Sequence, residues 1–223
     1  MAEAVKLNGE FRFWKPETRD RKLEGFISIL RRFAQRAINV VIDLPAYEEQ
    51  IAPYLLQPMS SPYFMGAYTI LSGVCLDVLD EIGRSEKIEL IFDQQAIFAP
   101  RMRAWYPLVK DLIEHSSPEL QGMLPLTPIF KDDKEFLPLQ ASDVIAWLFR
   151  MACSGQRNRF EWIADELSPA IPMSKYSNTF ESERMGRIYA QSLNVKFPPA
   201  LVGKWRDSIG LGTSRTKPRT KKR

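Results

Sequence analysis

Along the chain, segments in which apolar residues recur at helical spacing alternate with short segments in which apolar residues follow one another directly. Between residues 16 and 36, apolar residues recur at helical spacing and charged residues occupy the positions between them. Residues 38–44 and 87–95 are short and rich in large apolar residues, which predicts buried strands. A shorter strand is predicted at residues 126–130. Strands that alternate with long helices indicate an α/β architecture.

Further helical patterns follow, and they weaken beyond Cys153. The predicted organisation is an α/β domain over residues 1–153, a helical extension over residues 154–211 and a basic tail over residues 212–223. The helical patterns cover residues 63–82, 101–115, 137–151, 160–167 and 180–193.

The positive charge of the chain is concentrated in this tail. The net charge is +4, yet the tail holds six of the 31 basic residues and no acid, leaving 25 basic against 27 acidic residues elsewhere. Without apolar residues the tail is predicted to be disordered. Its cations could contact nucleic-acid phosphates without sequence preference, or serve only as a solubilising end. They are Arg215, Lys217, Arg219, Lys221, Lys222 and Arg223.

Several classes of site are excluded by composition. The single histidine, His115, is expected at a helix end, and with only Cys75 and Cys153 beside it a structural zinc site is not expected. No glycine-rich phosphate loop occurs. The two cysteines are expected as free, buried thiols, and no secretory signal opens the chain. These features predict a cytoplasmic protein with no membrane partner.

An acidic residue interrupts the apolar helix predicted at residues 137–151. Asp143 stands between Ala141 and Val144, where burial of an unpaired carboxylate would be costly. Gln140, three residues earlier, projects from the same side of a helix. Gln140 and Asp143 are therefore predicted to form a polar notch on a helix that is otherwise buried.

A second acid, Asp93, falls near the end of the strand predicted at residues 87–95. Ligands collect at the carboxyl ends of strands in open α/β sheets. If Asp93 and Asp143 converge there, their charges repel unless a cation lies between them. Oxygen ligands favour Mg²⁺ or Mn²⁺, which can promote phosphodiester hydrolysis. The alternative is that Asp93 is a turn or cap residue.

Three segments together resemble a known family of proteins. The succession GEFRFW, KIELIFDQQ and FLPLQASDVIAWLFR resembles the family called domain of unknown function 3800, over residues 9–152. The resemblance implies a ribonuclease H-like sheet flanked by helices, with an acidic cluster that binds divalent metal. It places the strand-end acid of the family on Asp93 and the helix acid on Asp143, with Gln140 beside it.

The chain departs from the family at its first strand. The Asp-Glu-Ser-Gly motif that supplies another acid is not found, so either the first strands are missing from the sequence or this member has lost the acid. Asp43 is the nearest replacement, but it is interpreted as the start of the turn into Pro45. With two acids, metal should be held weakly and residues 1–223 should show little or no turnover.

Three functions are compatible with these features. The leading one is a divalent-metal-dependent nuclease or a degenerate relative, with Asp93 and Asp143 as catalytic and metal-binding residues. The second is a non-catalytic nucleic-acid-binding or accessory protein with the same fold. The third, a purely structural partner, leaves Asp143 unexplained.

Overall fold

The computed structural model describes residues 12–82, 86–155, 161–167, 171, 173–177 and 183–209. The chain divides into two compact units, each built from separate parts of the sequence. Unit 1 comprises Met1–Ile42, Ile91–Gln95 and Ile129–Asn178, and unit 2 comprises Asp43–Leu90, Ala96–Pro128 and Thr179–Arg223. This grouping differs from the division predicted at residue 153.

The elements of the described part, in chain order, confirm the α/β prediction. They are α1 (Pro16–Phe33), β1 (Ala37–Val41), α2 (Leu44–Gln50), α3 (Pro62–Glu81), β2 (Ile91–Asp93), α4 (Phe98–Ser116), β3 (Ile129–Lys131), α5 (Leu137–Cys153), α6 (Glu161–Leu167), β4 (Met173–Ser177), α7 (Glu183–Lys196) and α8 (Pro199–Ser208).

The strands of unit 1 form two parallel pairs. β1 pairs with β4, from Ala37 opposite Met173 to Val41 opposite Ser177. β2 pairs with β3, and Asp93 lies opposite Lys131. Because both members of a parallel pair end at the same edge, residues that follow β2 and β3 are brought close together.

The predicted strands need correction in several places. Residues 38–44 and 126–130 correspond to the shorter strands β1 (Ala37–Val41) and β3 (Ile129–Lys131). Of the strand predicted at residues 87–95, only β2 pairs with β3. The Ile88 N–H donates instead to the Met123 carbonyl, at 3.0 Å, which lies outside the β2–β3 pair. β2 is also half-buried rather than fully buried. The extension predicted to be helical contains β4, whose short and polar sequence, MSKYS, gives no hydrophobic pattern.

The core of unit 1 fixes one face of α5. One cluster of buried side chains contains the apolar face of α1, the buried residues of α6 and Ile171, which follows α6. Helix α5 contributes four residues to it: Val144, Ile145, Trp147 and Leu148. An exposed ion pair also links α1 to α6, with Arg31 Nη1 2.6 Å from Glu166 Oε2. Helix α5 also contacts β2, so the two elements lie side by side within unit 1.

Unit 2 is helical in the part that the structure describes, and it has its own buried hydrogen bonds. The hydroxyl of the fully buried Tyr47 donates to the Met59 carbonyl at 2.6 Å. Trp205 Nε1 of α8 donates to the Ala104 carbonyl of α4 at 2.7 Å. His115 lies in the last turn of α4, as predicted.

Helix α3 is long and apolar enough to cross a membrane by length and composition. Its most apolar window has a mean hydropathy of 1.3, and 28% of that window is buried. Core helices of globular proteins meet the same criteria, so cytoplasmic location stays a prediction. The cysteines also differ from expectation: Cys75 on α3 is buried, but Cys153 at the end of α5 is exposed, because it lies off the packed face.

Candidate functional site

A large cleft opens in unit 1 between α1, the carboxyl end of β2 and the first turns of α5. Its volume is about 1020 Å³, which is ample for a small ligand or for part of a polymer. Carboxylates and cationic groups both line it, along with several aromatic rings. The charged residues in its wall are Arg19, Lys22, Asp93, Asp133, Lys134, Asp143 and Arg150.

Asp93 occupies the predicted strand-end position. It is the last residue of β2, and the next residue continues the ladder because the Gln94 N–H donates to the Lys131 carbonyl at 2.9 Å. The backbone of Asp93 is therefore fixed on both sides. Its half-buried side chain belongs to the wall of the cleft.

Asp143 and Gln140 line the same cleft as Asp93, so the structure brings the three predicted residues to one site. The polar notch was predicted on an otherwise buried helix, but α5 is buried on one side only, and Asp143 lies on its exposed side. The apolar residues Val144 and Leu148 face the core instead, leaving Asp143 on the side of α5 that water reaches. Burial of the carboxylate charge is thus avoided.

Gln140 stabilises the turn that precedes α5. Its Nε2 donates to the carbonyl oxygen of Asp133 at 3.0 Å. The same turn is closed by the Lys134 N–H, which donates to Asp132 Oδ1 at 2.9 Å, and by the Phe136 N–H, which donates to the Asp132 carbonyl at 3.0 Å. These bonds hold Asp133 in place at the edge where β3 ends.

Asp133 is the site residue that sequence reasoning missed. Burial raises its pKa above the ordinary value of 3.8, and the negative charges of Asp93 and Asp132 raise it further. The sequence shows that Asp132 and Asp133 follow the apolar residues of β3, but it does not show that β3 is the parallel neighbour of the strand that ends at Asp93. Acids that follow neighbouring parallel strands meet at one edge.

The donor set of this cleft suits a hard divalent cation held weakly. The negative charge of Asp93 contributes to the raised pKa of Asp133, and a cation between the two carboxylates would offset that effect. Carboxylate oxygens are the ligands that Mg²⁺ and Mn²⁺ prefer. Among the described residues, no group of three or more acidic, cysteine or histidine side chains is arranged to hold one ion.

Asp43 lies outside the cleft and has a structural role. It is the N-cap of α2, where its Oδ1 accepts a hydrogen bond from the Ala46 N–H at 3.0 Å. Asp43 was interpreted as the start of a turn into Pro45; the structure shows instead that it begins a helix, α2, which contains Pro45. The predicted nucleic-acid-binding residues of the tail, 215–223, lie outside the described residues.

Comparison with known proteins leaves the resemblance as a prediction. No protein-family model matches the chain, and neither a curated protein nor a solved structure is significantly similar to it. The argument for function therefore rests on the cleft itself.

Replacing Asp133 with asparagine should stabilise the protein at pH 7 but not at pH 3. A carboxyl with a raised pKa binds its proton more tightly in the folded than in the unfolded state, so stability falls as pH rises from 3.8 through the folded pKa. The asparagine variant lacks this loss. In thermal unfolding we expect a higher midpoint than that of the parent at pH 7 and an equal one at pH 3. If the gain in midpoint of the variant over the parent is smaller at pH 7 than at pH 3, the raised pKa of Asp133 is contradicted.

Proposed function

We propose that unit 1 is a ribonuclease H-like module that binds a divalent cation and slowly cleaves phosphodiester bonds. The observation that carries the proposal is that Asp93 and Asp133 line one cleft at the shared carboxyl edge of β2 and β3. The parallel strand pairs and the acid on α5 fit the same assignment, since helix and strand-end acids line one cleft.

The acidic residues would divide their work within the cleft. Asp93 and Asp133 would hold the cation. Asp143, which lines the cleft from α5, would add negative charge. When bound, the cation would supply Lewis-acid polarisation of a phosphoryl oxygen. With two carboxylates as direct ligands, we expect a dissociation constant on the order of 1 mM.

The basic and aromatic residues of the cleft suit a polynucleotide. Lys22, Lys134 and Arg150 are exposed and line the cleft with the acids, so they can neutralise phosphates that flank the scissile one. Trp14 and Phe92 add aromatic surface on which bases can stack. The cleft therefore combines a cation site with the two kinds of contact that single-stranded nucleic acids use.

The second candidate function is a non-catalytic nucleic-acid-binding protein that keeps the same cleft. One observation favours it: within the described ranges, the acids do not form a three-ligand group. In this case Lys22, Lys134 and Arg150 would still bind phosphates, but no bond would be cleaved.

A labelled single-stranded oligonucleotide, incubated with the full chain in either Mn²⁺ or EDTA, separates the two functions. Slow cleavage that requires Mn²⁺ is the expected result. Binding without cleavage at saturating Mn²⁺ would leave only the second function. Neither binding nor cleavage would overturn both.

A further inference from the structure

A second and smaller cavity lies in unit 1, where the carboxyl end of β1 meets the last turns of α5. Its volume is about 440 Å³, within the range of small-molecule sites. Because β1 runs parallel to β4, this edge is also one at which α/β sheets bind ligands.

The wall of this cavity is mainly apolar. Such a wall favours a ligand with an apolar body, because binding removes apolar surface from water on both sides. The apolar lining consists of Val40, Val41, Ile42, Ala146 and Phe149.

The polar groups of the cavity suit a ligand that carries an anionic hydrogen-bond acceptor. Arg150 is the one charged residue in its lining, and its side chain is exposed. Asn39 also lines the cavity; it is 9% exposed, and its Nδ2 has no hydrogen-bond partner in the described part of the chain. That Nδ2 atom is buried behind the cavity wall, so Arg150 is the group that would meet the charge of a ligand. The Ser154 hydroxyl already donates to the Met151 carbonyl at 3.0 Å.

We propose that this cavity binds a small carboxylate with an apolar body, through Arg150. The planar guanidinium matches the two oxygens of a carboxylate, and a single cation balances a single negative charge. A phosphate dianion would carry more charge than Arg150 can offset. Arg150 also lies in the last turn of α5, where it offsets the helix dipole. The test therefore includes a control arginine at an equivalent helix end.

Hexanoate and its neutral analogue hexanamide are suitable probes, titrated into the ¹⁵N-labelled full chain and followed by backbone amide shifts. Hexanoate should shift the signals of residues 39–42 and 149–154, with a dissociation constant on the order of 1 mM. Hexanamide should bind about 10-fold more weakly, because it lacks the charge-assisted bond. Arg150→Gln should reduce hexanoate affinity about 10-fold and leave hexanamide unchanged.

The control is Arg206→Gln, which removes an exposed arginine from the last turn of α8 and should leave both affinities unchanged. Equal binding of hexanoate and hexanamide to the parent chain would overturn the proposal. So would shifts centred on residues 93 and 133, because Arg150 also lines the larger cleft and binding there would explain them.

Discussion

Asp93→Asn is expected to reduce Mn²⁺-dependent cleavage of an oligonucleotide at least about 100-fold, as loss of one preorganised electrostatic contact does in other enzymes. The change keeps the size of the side chain and removes its charge. Asp93 ends β2 with its backbone fixed by the ladder, so the variant should fold as the parent does. Single-turnover cleavage at saturating protein separates this loss from weaker substrate binding.

Asp43→Asn provides the matched control for this prediction. It also converts an aspartate to asparagine, but at the N-cap of α2, where asparagine caps as well as aspartate. Cleavage by this variant should equal that of the parent. If Asp93→Asn and Asp43→Asn lower cleavage equally, or if neither does, the assignment of Asp93 is wrong.

Removing the tail is expected to weaken oligonucleotide binding by roughly 100-fold or more at 50 mM salt. Its six cations have no acidic neighbours within residues 212–223, so all are available to phosphates. If all six make contact, the log–log slope of affinity against salt approaches roughly −4 for a single strand and −5 for a duplex. A chain that ends at Leu211 should lose most of this slope.

A tail of the same length with its six cations replaced by glutamine controls for chain length. It should behave like the truncated chain, since charge rather than length carries the predicted affinity. Equal affinity and equal slope for all three proteins would leave the tail as a solubilising segment.

The sequence predicted much of what positions the cleft. The helical period over residues 137–151 is strong because one face of α5 packs in the core of unit 1 and the other does not. Asp93 was placed correctly because the change from apolar to polar residues marks the end of β2. These features depend on local pattern, which the sequence displays directly.

The remaining features depend on which segments pair, and local pattern does not reveal that. Asp133 gains its role only because β3 lies parallel to β2. β4 is a strand because its backbone bonds to β1, although its residues have no strand pattern. The exposure of Asp143 likewise follows from which side of α5 meets α1.

The most direct test of the shared cation site is paramagnetic broadening of backbone amide signals by substoichiometric Mn²⁺. Weak binding suffices for this measurement, because a bound Mn²⁺ broadens only signals near it. Broadening should centre on the residues around Asp93 and Asp133, remain in Asp43→Asn, and vanish when Asp93 and Asp133 are both changed to asparagine. Broadening centred elsewhere, or unchanged in that double variant, would contradict a cation site between Asp93 and Asp133.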